Sequence, residues 1–334
     1  MAVEIAGIAE RRWVVLGAGA AILAVAIVTV LVSIAYRRDI DQAFKRISTG
    51  SQVVQTSCGP IEYAMVGAGM PVLIVHGAGG GFDQGMEFAR DLAAAGLRVI
   101  AISRFGYLRT PLPADASAAA QADAHACLLD ALGIRRAVIV GASAGAPSSL
   151  QFTLRHPERC AGLVLVVPAT YVPRRGGDAP LRTPAWTQFL FDTALRSDFL
   201  FWAGTKLVRR VMIGAILATP PEIVEQADAD ERARVARLLS HILPVSPRRP
   251  GLLNDAAITS ALSRYPIEGI HTPTLVMSAA DDRFGTYEAA RYTAERIPGA
   301  RFIGYASGGH IWVGHNKEAI AEVVAFVKAA DTKR

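Results

Sequence analysis

The sequence predicts an α/β protein: a mainly parallel sheet with helices on both faces, a helical cap inserted late in the sheet, and one transmembrane helix ahead of both. Three observations predict it. Short apolar runs alternate with helical patterns, and runs that are apolar on both sides mark strands sandwiched between helices. The alternation lapses across residues 170–268, where aromatic and helical segments follow one another without a strand rhythm. Finally, Trp13 to Ala35 contains no charged residue, and only Thr29 and Ser33 are clearly polar.

Taken in order, those 23 residues would span about 35 Å as a helix, enough to cross a bilayer. Arg11-Arg12 and Arg37-Arg38 flank them. The competing readings are a cleaved signal, with Ser33-x-Ala35 as its small-residue pattern, and a buried helix. Two basic residues precede the segment and four follow it, Arg37, Arg38, Lys45 and Arg46. Positive-inside weighting then puts the following domain on the cytoplasmic side of a single-pass membrane protein. The expected organisation is an anchor over 1–36, a juxtamembrane linker over 37–50, a first core part over 51–169, the cap over 170–268 and a second core part over 269–334.

Gln52–Ser57 and Ile61–Val66 read as paired strands around Cys58-Gly59-Pro60. Pro71–Val75 is a buried strand running into His76-Gly77-Ala78-Gly79-Gly80-Gly81. Phe82–Ala95 is a helix stopped by Gly96, Arg98–Ile102 a strand, and Ala116–Leu132 a helix stopped by Gly133. Ala137–Val140 and Leu163–Val167 are strands. Within the cap, Glu222–Leu239 reads as one charged helix. Lys206, Arg209, Arg210 and Ile213 are at helical spacing, opposite Leu207, Val211 and Ala215, a basic face suited to anionic lipid. After the cap come strand Pro273–Ser278, helix Thr286–Ile297, strand Arg301–Tyr305 and a last helix over Asn316–Lys328.

The chemistry centres on Gly141-Ala142-Ser143-Ala144-Gly145, set between a strand and a helix that ends near Arg155-His156-Pro157. Such a turn strains the serine backbone and lifts its hydroxyl above the sheet, where strand and helix approach too closely for larger flanking residues. A serine nucleophile needs a base, and the base an orienting acid. Asp281-Asp282 follows the strand ending at Ser278, and His310 follows the strand ending at Tyr305. The order serine, aspartate, histidine suits a turn of this kind. Successive residues point in different directions, so only one of Asp281 and Asp282 should face His310. His315 is the rival base, but it opens the last helix; His76 is expected to brace its own turn. Oxyanion donors are expected from the backbone N–H of Ala144 and of Ala78 or Gly79.

The 334 residues are 51% hydrophobic and 19% charged, with a net charge of +6. Basic residues are scattered doublets without a stripe of stacking aromatics, which excludes nucleic acid as a partner. The three cysteines lie far apart without metal-like spacing and are expected as buried thiols.

These motifs resemble the α/β-hydrolase superfamily, in its lidded serine-hydrolase branch. The matching pieces are H-G-A-G-G at 76–80, G-A-S-A-G at 141–145, R-H-P-E-R-C-A-G-L-V-L-V at 155–166, S-A-A-D-D-R-F at 278–284 and G-G-H at 308–310. The resemblance covers about residues 50–331 and is weakest in the cap. It implies Ser143 as nucleophile, His310 as base and Asp282, the last Asp of the G-x-x-D pattern, as acid, although Ala279 stands where Gly is usual. Many relatives carry D-x-x-G-x-G-x-S where this chain has Ser103-Arg104-Phe105-Gly106-Tyr107-Leu108-Arg109-Thr110. A serine nucleophile argues against members that displace halide or open epoxides, and Ala144 lends no support to the lipase-like or peptidase-like ones.

The implied activity is hydrolysis of a small or medium apolar carboxylic ester through an acyl-enzyme, with no metal or organic cofactor. The alternatives are a carbon–carbon bond hydrolase of ring-cleavage products, a cofactor-free perhydrolase or thioesterase, and a membrane-tethered binding protein of the same fold. In the carbon–carbon reading Arg283 orients a substrate carboxylate; otherwise it makes a surface ion pair. The expected partners are the ester-like substrate and membrane lipid through residues 13–35.

Overall fold

The computed structural model describes residues 2–173 and 195–331. It divides into two compact units, residues 1–45 and 46–334. In the first, helix α1 (Ala2–Ser48) runs without a break into the charged stretch expected as a linker. No glycine or proline interrupts the chain between Gly19 and Gly50, so nothing local ends the helix sooner. All residues from Leu16 to Ile34 are exposed. The hydroxyls of Thr29 and Ser33 donate to the carbonyls of Val25 and Thr29, which satisfies the polar groups of the apolar stretch internally. Leu16–Ser48 is long and apolar enough to cross a membrane.

In the second unit, β1 (Gln52–Thr56) and β2 (Gly59–Val66) form an antiparallel hairpin. Then follow β3 (Pro71–Val75), α2 (Phe82–Ala94), β4 (Arg98–Ile102), α3 (Ala118–Ala131), β5 (Ala137–Ala142), α4 (Ala146–Arg155) and β6 (Cys160–Val166). The described part of the insert is helical: α5 (Asp198–Leu207), α6 (Arg209–Ile216), α7 (Pro221–Gln226), α8 (Ala229–Ser240) and α9 (Arg249–Ser260). Next come β7 (Thr274–Ala279), α10 (Thr286–Arg296), β8 (Arg301–Tyr305) and α11 (Asn316–Asp331). The sheet order is β1-β2-β4-β3-β5-β6-β7-β8, antiparallel through β1, β2 and β4 and parallel from β4 onward.

Alternation along the strands builds two cores. Leu73, Ile139, Leu163 and Val276 face α3, α4 and α10, packing on Leu129, Leu150 and Ala290. Their neighbours Val72, Val138, Val164 and Leu275 face α2 and α11, packing with Leu92 and Val323. Burial on both faces explains why the central strands read as unbroken apolar runs.

Three expectations are corrected. The stretch Glu222–Leu239 is two helices, because the Asp228 side chain accepts from Glu231 N at 2.8 Å and starts a new one as an N-cap. Lys206 does not share a helix with Arg209 and Arg210, for the chain turns at Val208 (φ −131). That turn folds Met212 back onto Gly204, where an added Cβ would sit 3.1 Å from the sulfur. Arg210 is engaged by Glu222 and Glu225. Finally, Cys58 and Cys127 form a disulfide, their Cα atoms 6.0 Å apart, because the β1–β2 turn lands on α3. Cys160 is a buried free thiol. Of the insert's aromatics, Phe201 and Trp202 are buried, while Trp186, Phe189 and Phe191 lie outside the described residues.

Candidate active site

Ser143 stands at the carboxyl end of β5 with φ +48, a left-handed backbone that costs a non-glycine residue energy. Its neighbours show what enforces the turn. A Cβ on Gly145 would lie 2.5 Å from Val75 O and 2.7 Å from His76 O, and one on Gly141 would collide with Ser149. Pro147, in the first turn of α4, is pre-set for a helix start.

Two more strand ends converge on this turn. After β8, His310 sits in a short helical turn, Gly309–Ile311, between Gly308 (φ 132) and Trp312 (φ 57). Its Nε2 lies 3.0 Å from Ser143 Oγ and its Nδ1 2.8 Å from Asp282 Oδ2. A carboxylate only accepts, so Nδ1 carries the proton and Nε2 is free to accept from the serine. Asp282, beyond β7, also accepts from Phe284 N at 2.9 Å and from the Thr286 hydroxyl. Burial alone would raise its pKa, but His310, Thr286 and the Phe284 amide outweigh burial and hold the carboxyl below its usual range. Phe284 packs edge-on against His310, ring centroids 4.9 Å apart.

Asp281 points elsewhere: its carboxylate accepts from Gly308 N at 3.2 Å and Gly309 N at 2.8 Å. His315 stacks on Tyr305 and bonds Glu318, apart from the serine. His76 braces its turn, with Nδ1–H donating to Gly77 O at 2.7 Å and Nε2 accepting from Arg104 N at 3.0 Å. Burial and the Arg104 charge push its pKa well below the ordinary histidine value, so it is neutral. Arg283 pairs with Glu222 at 3.6 Å on the surface.

The loop after β3 passes beside the serine, for a Cβ on Gly77 would meet Ser143 Cβ at 3.1 Å. Its amides are spoken for in turn. Gly77 N donates to Gln84 Oε1, Gly79 N to Tyr107 Oη and Gly80 N to Gly77 O. Among the described residues none accepts from Ala78 N. Ala144 N opens the turn into α4, where the first N–H groups have no intrahelical partner. Ile242 and Leu252 of the insert wall this loop, both within 4 Å of where a Gly79 Cβ would be.

Sequence reasoning missed three buried carboxylates around this loop. Glu62 of β2 accepts from the Ser103 hydroxyl and from Arg109 N and Nε, supplying the acid that Ser103 lacks in the altered D-x-x-G motif. Asp83 pairs with fully buried Arg248 at 2.7 Å, and Asp255 pairs with Arg104. The departure at Ser103-Arg104 was the only local signal for any of them.

Comparison with known proteins agrees with this fold. The α/β hydrolase fold family model matches residues 70–313. The uncharacterized hydrolase YcgS of Bacillus subtilis is 28% identical over 273 residues, covering 78% of this chain and 91% of its own. The 2-hydroxy-6-oxononadienedioate/2-hydroxy-6-oxononatrienedioate hydrolase of Paraburkholderia xenovorans is 36% identical over 248 residues, covering 72% and 79%. The structure of an alpha/beta hydrolase fold protein from Nakamurella multipartita superposes with a TM-score of 0.67 at 29% identity, over 84% of this chain and 99% of that one. With that family model matched over residues 70–313, this chain belongs to the α/β-hydrolase fold family.

Proposed function

We propose that the protein is a serine hydrolase that cleaves a small or medium, uncharged and apolar carboxylic ester through an acyl-enzyme. The hydrogen-bonded run Ser143–His310–Asp282 carries this reading. Ser143 Oγ attacks the acyl carbon while His310 Nε2 takes its proton, and Asp282 holds the Nδ1–H tautomer and stabilises the imidazolium. The N–H groups of Ala78 and Ala144 receive the oxyanion. Collapse breaks the bond to the alcohol, which leaves with the proton from His310. Water, deprotonated by the same imidazole, then attacks the ester, and the acid departs as Ser143 regains its proton.

Two features support an uncharged acyl group. The buried guanidiniums Arg104 and Arg248 are taken up by Asp255 and Asp83, and the described wall over the loop is Ile242 and Leu252. A second reading, carbon–carbon bond hydrolysis, is favoured by the 36% identity to the dioate hydrolase. A dioate brings two carboxylates, however, which the committed arginines do not meet. The apolar helix Leu16–Ser48, exposed from Leu16 to Ile34, supports a membrane anchor that tethers the enzyme.

Fluorophosphonate labelling of the full chain, with S143A as control, tests the mechanism, and a panel of esters, thioesters and vinylogous diketones tests the substrate class. The expected result is Ser143-dependent labelling with turnover of neutral esters. Equal labelling of S143A would defeat the serine mechanism, and faster turnover of dioates would favour the second reading.

A further inference from the structure

Of the four successive amides from Gly77 to Gly80 in the loop after β3, one stays open. Gly77, Gly79 and Gly80 each have an acceptor, and Ala78 has none among the described residues. The acceptor for Gly79 is a side chain from another element, the hydroxyl of Tyr107, at 3.2 Å. That hydroxyl donates in turn to Asp255 Oδ2 at 2.6 Å. Asp255 belongs to α9 of the insert, and its other oxygen accepts from Arg104 NH1 at 2.7 Å. Arg104 closes the circuit by donating from Nε to His76 O at 2.8 Å, at the root of the same loop.

The ring of Tyr107 is fully buried and fitted on both sides. His76 meets it edge-on at 4.7 Å, and a Cβ on Gly251, in the first turn of α9, would collide with it. The insert is fastened beside it by Gly251 N to Gly106 O and Leu108 N to Pro247 O, both 2.9 Å, and by Arg248, which donates to Gly80 O and Asp83. Burial first, and the Asp255 charge second, push the Tyr107 phenol well above its ordinary pKa. It stays protonated, able to donate to Asp255 while accepting from Gly79.

We propose that Tyr107 is a positioning residue for the oxyanion donor Ala78, and that Asp255 makes this positioning depend on the seated insert. Holding the Gly79 amide against Tyr107 fixes the backbone on the carboxyl side of Ala78, at a left-handed glycine (φ +73). The Ala78 N–H is thereby kept in the place where charge develops. The inference rests on the serine-hydrolase reading and goes beyond it, since Tyr107 touches no reacting atom.

The test is Tyr107→Phe, which keeps the ring and removes the hydroxyl. With a neutral ester, kcat is expected to fall about 10- to 100-fold with KM within about twofold. A trifluoromethyl ketone, whose adduct with Ser143 bears the oxyanion, should bind weaker by a similar factor. An unreactive ether analogue of the substrate should bind as before, which a merely structural defect would not allow. D255N should weaken ketone binding at least as much as Y107F, because it frees both the Tyr107 hydroxyl and the Arg104 guanidinium that hold the loop. Unchanged kcat in Y107F, or equal weakening of ketone and ether, would overturn the proposal. If wild-type Ser143 is not labelled by fluorophosphonate, the hydrolase reading itself fails and takes this inference with it. If Ser143 is labelled but Y107F behaves as wild type, only the role of Tyr107 fails.

Discussion

Asp281 and Asp282 are adjacent in the chain, yet Asp282 bonds the His310 ring while Asp281 bonds the two glycine amides just ahead of it. The pair divides the holding of one histidine between its ring and its backbone. Asp282→Asn should lower kcat by about 10³- to 10⁴-fold, since the imidazole loses its tautomer. Asp281→Asn keeps the relay and loosens only the loop, so a loss of about tenfold is expected. Steady-state kinetics on both variants checks this, and the reverse ranking would move the acid to Asp281.

Gly145→Ala should fail through packing rather than chemistry. The added methyl meets backbone oxygens of β3 and its loop at 2.5 and 2.7 Å, and neither belongs to a flexible side chain. A loss of about 2 kcal/mol or more is expected, read as a lower urea midpoint together with reduced labelling of Ser143. A variant as stable as wild type would show that the turn is looser than its geometry.

Acid should weaken the fold before it protonates the carboxylates. His125, with Nε2 3.1 Å from Ser148 Oγ, is buried beside Arg104, and burial first and that charge second lower its pKa to about 3. His76 is lowered by the same two causes. An unfolded histidine titrates near 6.5, so between roughly pH 6.5 and 3 the unfolded state binds protons that the folded state refuses. For His125, stability then rises with pH across that window by about 1.4 kcal/mol per pH unit and levels off above it, and His76 acts in the same direction. For His125 alone this amounts to about 2 kcal/mol between pH 7 and 5. The lowered Asp282 adds its own loss only below about pH 4. Urea unfolding at pH 7 and 5 should show a smaller difference for His125→Asn than for wild type; an equal difference would mean His125 is protonated in the native state.

Tyr305→Phe should stabilise the protein. The Tyr305 hydroxyl is buried without a hydrogen-bond partner among the described residues, while its ring stacks on His315 at 4.4 Å. Removing an unsatisfied donor while keeping the ring is expected to gain about 1 kcal/mol, seen as a higher denaturant midpoint. A lower midpoint would reveal a partner for that hydroxyl.

What the sequence disclosed depended on the range of the interaction that left the mark. Pro71–Val75 and Thr274–Ala279 were readable because burial on both faces removes polar residues locally. Ser143 was readable because its turn demands small neighbours two residues away on each side. The choice between Asp281 and Asp282 rested on family pattern, since one residue of spacing does not say which carboxylate turns inward. The Asp228 cap did leave a local imprint, Asp228-x-x-Glu231, but the acidic run on either side made one helix look continuous. Tyr107 and Asp255 are 148 positions apart, and nothing in either neighbourhood encodes the other.

The bridge between Cys58 and Cys127 bears on the cell compartment in which the domain folds. Such bonds persist where thiols are not kept reduced, outside the cytoplasm, whereas the basic residues flanking α1 favour the cytoplasmic side. The bridge closes a loop of 69 residues, and losing it is expected to cost about 4 kcal/mol. A domain that relies on it is expected to fold where thiols are not kept reduced, outside the cytoplasm. Maleimide labelling of cells under a denaturing quench checks this. Cys58 and Cys127 should stay unlabelled until a reductant is added, and free labelling without it would return the domain to the cytoplasm.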